Sequence, residues 1–94
     1  MPDLETRRYV ISGRVQGVGF RWFVEREAAQ TGVTGWVRNC HNGDVEVMAT
    51  GSPEQHRSLR RKLEQGPRAS RVDHVSESKA APLQSNTFRI EGAL

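Results

Sequence analysis

A short stretch near the start of the chain decides the fold: Val15-Gln16-Gly17-Val18-Gly19-Phe20-Arg21. Residues 8–15 lie before this stretch and share Val15 with it. Their apolar residues, including Tyr9, Val10 and Ile11, predict a strand. After it the spacing of apolar residues changes to that of one helix face, at Phe20, Phe23, Val24 and Ala28. The stretch is therefore predicted to join a strand to a helix through a tight, glycine-containing turn.

This loop is also a candidate anion site. Its glycines would let the backbone present several amides to one point, and Arg21 would add a positive charge at the helix start. Such an arrangement suits a phosphate-sized anion. The spacing fits neither the dinucleotide-binding fingerprint nor the P-loop. A tight turn followed by an exposed arginine explains the same residues equally well.

The middle of the chain predicts a helix end and a hairpin. Gly32 is a typical helix stop. Residues 33–39 predict a second strand, and Asn42-Gly43 predicts a hairpin turn because both residues tolerate positive φ. Val45, Val47 and Ala49 alternate with Glu46, Met48 and Thr50, which predicts a third, half-buried strand.

The second half predicts one helix and two strands. Ser52, Pro53 and Gln55 have the pattern of a helix start with a capping box, and Gly66-Pro67 predicts its end. Val72 and Val75 predict a fourth strand, in which their odd spacing requires a bulge if both are to face the core. Residues 80–86 are predicted to form a loop, and Phe88 and Ile90 predict a short last strand.

The predicted order is βαββαβ with a short extra C-terminal strand. We therefore expect an α+β, ferredoxin-like sandwich, in which an antiparallel sheet carries both helices on one face. Right-handed crossovers would bring the first and third strands to the centre of the sheet. The loop at 15–20 would then lie at one end of the sheet, where the second strand can also deliver a side chain.

Bulk composition restricts the class of protein. The 94 residues predict one domain, 1–94, and 35% hydrophobic with 27% charged residues suits a compact chain. The net charge of +3 is compatible with nucleic acid, an anionic membrane or a small anionic substrate and does not distinguish among them. Cys40 is the only cysteine, which favours a reducing compartment, and no apolar run approaches the ~20 residues of a membrane span. We expect a cytoplasmic monomer.

Other polar residues give weaker signals. Asn39 ends a predicted strand, where asparagine is disfavoured, although it could simply shape the turn. The histidines show no metal-ligand spacing with Cys40 and are expected mostly at the surface, with His56 on a helix flank and His74 on a strand. A Cys40–His41 nucleophile and base is disfavoured because adjacent strand residues point to opposite faces. The basic region 57–71 lacks aromatics for base stacking, so a solvated face is the better interpretation.

Two motifs in the right order resemble the acylphosphatase family. They are Gly13-Arg14-Val15-Gln16-Gly17-Val18-Gly19-Phe20-Arg21 and Gly35-Trp36-Val37-Arg38-Asn39, the latter followed by Asn42-Gly43 and Val45-Glu46-Val47. Gly66-Pro67, Val72, Val75 and Phe88-Arg89-Ile90 also stand where that family has such residues. The likeness covers almost the whole chain. Cys40 and His41 lie in a variable stretch, and Asn42 stands where Asp is common in the turn.

The resemblance implies a function and a set of residues. The protein would hydrolyse small acyl phosphates, with Arg21 as the catalytic phosphate-binding arginine and Asn39 orienting the attacking water. The phosphate would be held by the backbone amides of Val15, Gln16, Gly17, Val18, Gly19 and Phe20. The family is ferredoxin-like and needs no cofactor and no metal, and its partner is a small-molecule acyl phosphate rather than nucleic acid or a membrane.

Three alternatives share the same fold. An anion-binding module would have the pocket without turnover, although the presence of both Arg21 and Asn39 favours the enzyme. An RNA-binding sandwich would carry aromatics on its central strands, and residues 45–50 have none. A module of a larger maturation enzyme would continue into cysteine-rich or nucleotide-binding regions.

Overall fold

The computed structural model describes residues 3–92, and within them the predicted order of elements is confirmed. The five strands and two helices are β1 (Glu5–Arg14), α1 (Phe20–Thr31), β2 (Thr34–Asn39), β3 (Val45–Gly51), α2 (Pro53–Gln65), β4 (Arg71–Lys79) and β5 (Phe88–Ile90). The first strand begins three residues earlier than its apolar pattern predicts, because residues 5–8 are all polar or charged and give no apolar pattern.

The strands form one sheet in the order β4-β1-β3-β2-β5, so the first and third strands lie inside it as predicted. The pairings among β1, β2, β3 and β4 are antiparallel, whereas the short β5 runs parallel to β2, which makes the sheet mixed. Because β1 and β2 both run antiparallel to β3, they point in the same direction. Their C-terminal ends therefore lie at the same end of the sheet.

Both helices pack against one face of the sheet and against each other. The helix faces predicted from sequence are confirmed, since Phe20, Val24 and Ala28 of α1 and Leu59 and Leu63 of α2 are buried. They share one apolar core with the inward-facing residues of the strands, among them Ile11, Val15, Val37, Val45, Val47 and Val75.

The bulge predicted from the spacing of Val72 and Val75 is present. Ser12 pairs with His74 and the next residue of β1, Gly13, pairs with Val72, so Asp73 is the extra residue on β4. The extra residue corrects the alternation of side chains. Val75 is buried, and Val72 is partly buried against the same core.

The β2–β3 hairpin is confirmed, with a different turn from the one its Asn-Gly pair suggests. Within this turn only Gly43 has positive φ, at 97°, whereas Asn42 does not. The Gly43 amide donates to Cys40 O at 3.2 Å and the Cys40 amide to Asp44 O at 2.8 Å. This is a three-residue loop with glycine in the left-handed position. Asn42 contributes through its side chain, whose Oδ1 accepts from the Asp44 amide at 3.0 Å.

The capping box of α2 is also confirmed. The Gln55 amide donates to Ser52 Oγ at 3.1 Å, and the Ser52 amide donates to Gln55 Oε1 at 2.8 Å. Pro53 occupies the first helical position, where its missing N–H has no cost.

His56 departs from the expectation of a surface histidine, because it is fully buried beside Tyr9. Its Nε2 lies 2.7 Å from the carbonyl oxygen of Glu5, which can only accept, so Nε2 carries the proton. Its Nδ1 lies 2.7 Å from the Tyr9 hydroxyl and therefore accepts. The neutral ring satisfies both partners, and burial lowers the pKa of His56 below its ordinary value.

We expect the free energy of unfolding to fall as the pH is lowered from 7.5 to 5. The unfolded chain takes up a proton on His56 near pH 6.5 and the folded chain only at lower pH. The stabilising contribution is therefore complete above about pH 6.5 and is lost below it, with a slope approaching about 1.4 kcal/mol per pH unit. Urea denaturation at several pH values measures the slope.

Two variants separate His56 from other groups. His56→Gln should flatten the dependence above pH 5, whereas His74→Gln, at an exposed strand position, should leave it unchanged. A wild-type slope retained in His56→Gln would contradict this assignment. The pKa values of Glu46 and Glu77 are also below normal, because hydrogen bonds from arginines outweigh the opposing effect of burial. These two carboxyl groups change the free energy of unfolding only below about pH 4.5, outside the range of this test.

Candidate active site

Two chain segments meet at the end of the sheet where β1 and β2 finish. One is the loop of residues 15–19 after β1, and the other is the hairpin turn of residues 40–44 after β2. The side chain of Gln16 joins them, because its Nε2 donates to Cys40 O at 2.7 Å and to Asp44 O at 2.8 Å. The loop thus lies directly against the turn that follows Asn39.

The loop is anchored at its ends and open in its middle. Val15 and Phe20 are buried in the core, whereas Gly17 and Gly19 are exposed with φ of 74° and 79°. No atom would lie within 4 Å of a Cβ at either glycine, so positive φ rather than crowding accounts for glycine at both positions. Within residues 3–92, the amides of residues 16–20 have no hydrogen-bond acceptor.

The N-terminus of α1 lacks the groups that usually stabilise a helix start. Its N-cap is Gly19, which has no side-chain cap, and its first turn contains no acidic residue. Instead it carries Arg21, half-buried at the second helical position, which forms no ion pair with any described residue. The second helix has both features, with Ser52 as its cap and Glu54 in its first turn. A cation at a helix N-terminus is unfavourable unless an anion offsets it.

Asn39 is the last residue of β2 and pairs with Val45, which pairs with Ile11 on its other side. Directly opposed residues share a face of a sheet, so Asn39 lies on the face of Ile11 and Val45, which the helices cover. Its Oδ1 atom is buried and has no hydrogen-bond partner among the described residues. A buried acceptor left in this state costs about 1–3 kcal/mol, which makes it unusual in a folded protein.

Cys40 does not have the properties of a nucleophile. Burial raises the pKa of its thiol, and the negative charge of Glu46 adds to the shift. The neighbouring His41 is exposed. Since the thiolate is the reactive form, the structure gives the Cys40–His41 pair no support.

The family is settled by comparison with known proteins. A family model described as Acylphosphatase matches residues 7–90.

The chain belongs to the acylphosphatase family.

Individual relatives agree with this assignment. The chain is 57% identical to a protein named acylphosphatase from Koribacter versatilis (strain Ellin345), over 94% of this chain and 81% of that protein. It resembles the crystal structure of acylphosphatase from Bacillus subtilis with a TM-score of 0.89 and 36% identity, covering 95% of this chain and 99% of that one. It also resembles part of full-length HypF in its phosphate- and nucleotide-bound form, with a TM-score of 0.92 and 28% identity, covering 99% of this chain and 12% of that one.

These findings confirm three sequence predictions: the resemblance to acylphosphatases, the ferredoxin-like fold and the enzyme class. The structure also describes the regions considered above for a metal site, a membrane span and a basic binding surface. Residues 3–92 contain no group of three or more side chains placed to hold a metal ion, and no helix among them is long and apolar enough to cross a membrane. In the basic region 57–71, Arg60 pairs with Glu64 and Glu77, and Arg71 pairs with Asp73.

A charged cluster on the open face of the sheet was missed by sequence reasoning. Glu46 on β3 is only 6% exposed and forms ion pairs with Arg8 of β1 and with Arg38 of β2, the latter at 2.8 Å. The Arg38 guanidinium also lies over the Trp36 ring, 4.7 Å from its centroid. The cluster joins three strands beside Asn39 and Val45. The hairpin register, which opposes Arg38 to Glu46, was the signal that could have revealed part of it.

The left-handed conformation of Gly19 at the start of α1 gives a stability prediction. Gly19→Ala should lower the free energy of unfolding by about 1 kcal/mol, since alanine is disfavoured at positive φ by more than it gains from a less flexible unfolded chain. Gly92→Ala is the matched control, because Gly92 lies in open space without positive φ. Denaturant midpoints measure both variants. Equal stability of the two would contradict the importance of positive φ at Gly19.

Proposed function

We propose that this protein hydrolyses small acyl phosphates to a carboxylate and inorganic phosphate. The observation that carries the proposal is the uncapped N-terminus of α1, where Arg21 and the unpaired amides of residues 16–20 share one end of the sheet. Family membership supports the same reaction, as the relatives described above are named acylphosphatases. Within the proposal, residues 1–94 act as one domain and a monomer in the cytoplasm, where a lone cysteine stays reduced.

The phosphoryl group would bind at the loop. The amides of Val15, Gln16, Gly17, Val18, Gly19 and Phe20 would form its cradle, and Arg21 would supply a planar fork of charged donors. A dianionic phosphate would also offset the unfavourable pairing of Arg21 with the positive end of the α1 dipole. Because these donors are fixed before substrate arrives, they would stabilise charge in the transition state without reorganising.

Asn39 would position the attacking water. Its buried Oδ1 atom has no donor among residues 3–92, and a water molecule could supply one. An amide cannot take a proton at neutral pH, so this role is orientation rather than general-base catalysis. We propose that the proton passes to a phosphate oxygen of the substrate, because neither the guanidinium of Arg21 nor the amide of Asn39 can act as a base at neutral pH.

The substrate class explains why few groups would suffice. The leaving group is a carboxylate whose acid has a pKa of about 4, judged from side-chain carboxyls, so it departs without being protonated. No general acid is then required. The remaining tasks are to hold the phosphoryl oxygens, to offset their charge and to place the water, which are the main tasks of a protein in phosphoryl transfer.

Arg21→Ala should lower kcat/KM by about 10²–10³-fold and raise the inhibition constant of inorganic phosphate, because it removes the charged donor of the cradle. Loss of absorbance of a simple aryl acyl phosphate measures the reaction. Arg57→Ala is the matched control, since Arg57 is exposed on the second helix. An Arg21→Ala enzyme within about threefold of wild type would contradict the proposed role.

Asn39→Ala should lower kcat by about 10–100-fold with little change in KM, because only the placement of water is lost. It should not lower the free energy of unfolding, since the buried Oδ1 atom has no partner to lose among the described residues. Asn86→Ala, at an exposed loop position, is the control. A kcat near that of wild type would refute water positioning. Absent turnover in the wild-type protein, with phosphate still bound, would favour the anion-binding module.

A further inference from the structure

We propose that Gln16 is a positioning residue whose side chain holds the loop of residues 15–19 and the strand end at Asn39 at a fixed separation. This inference rests on the proposed function. It assigns to the Gln16 side chain a role separate from that of its backbone amide in the phosphate cradle.

The Gln16 side chain forms two hydrogen bonds to the hairpin turn, which are together called the clamp below. Gln16 Nε2 lies 2.7 Å from Cys40 O and 2.8 Å from Asp44 O, so each of its two hydrogens has one acceptor. These carbonyls stand on opposite sides of the hairpin loop. They are also bound within it, because Cys40 O accepts from the Gly43 amide and Asp44 O from the Cys40 amide. Gln16 therefore binds a turn whose own backbone hydrogen bonds are already formed.

The contact requires a side chain with at least two hydrogens on one donor atom. Both partners are carbonyl oxygens and can only accept, so the residue must donate two hydrogens from one atom. A carboxylate would face two acceptors with no hydrogen to give, and a thioether of similar length would donate none. Glutamine meets this requirement without adding a charge beside the phosphate.

The clamp matters because the proposed catalytic groups lie on two segments. The amides of residues 15–20 and Arg21 belong to the loop and to α1, whereas Asn39 adjoins the turn. Among the described residues, the two bonds from Gln16 are the only hydrogen bonds between residues 15–19 and 39–44. A displacement of about 1 Å between reacting groups can cost about 10²-fold in rate.

The test is Gln16→Met in two backgrounds. In the wild-type background kcat should fall at least about 10-fold, while KM and the inhibition constant of phosphate stay within about twofold, because the phosphate cradle remains whole. In the Asn39→Ala background the same change should have no further effect on kcat, since the group that the clamp positions is absent. Gln30→Met, on the exposed surface of α1, should leave all constants unchanged.

Two results would overturn the inference: an equal fall in kcat in both backgrounds, or a loss that appears in KM and phosphate inhibition instead of kcat. If Gln16→Met does not fold, Gln16→His, which keeps one N–H donor, carries the same comparison. The proposed function fails in a different way, through a wild-type protein without turnover or an Asn39→Ala protein with normal kcat.

Discussion

The pairing of β3 with both β1 and β2 is the constraint on which the candidate site depends. Val45 pairs with Ile11 on one side and with Asn39 on the other, so the ends of β1 and β2 are separated by one intervening strand. Two strand spacings amount to roughly 10 Å. That gap is what the loop after β1 spans when it reaches the hairpin turn. A shift of one residue in the pairing of β2 with β3 would turn Asn39 to the open face of the sheet.

Much of the fold could be predicted because its signals are local. Three predictions depended only on neighbouring residues, and each was confirmed. They are the capping box beside Pro53, the glycine that ends α1, and the bulge between Val72 and Val75. The predicted topology also placed the loop after β1 and the end of β2 at the same end of the sheet. The family resemblance then assigned roles to Arg21 and Asn39 that spacing alone left open.

The features that sequence reasoning missed depend on partners far away in the chain. His56 was expected at the surface, but it meets Tyr9 and the backbone of Glu5 inside the core. Gln16 is 24 residues from Cys40, and its side chain gives no sign of that contact in the local pattern. Periodicity indicates which face of an element is buried, but it does not indicate which polar groups will satisfy one another there. The missing cap at the start of α1 gave no signal for a related reason. An uncapped helix start becomes informative only when the groups around it are known.

The two outer strands have a consequence for how the folded molecule behaves in concentrated solution. On one side the sheet ends in β5, which is three residues long and covers part of the strand that carries Asn39. On the other side β4 carries the Asp73 bulge together with charged and polar side chains. Short, irregular and charged edges offer few consecutive amides to a neighbouring sheet. The architecture that positions the site thereby also opposes edge-to-edge aggregation.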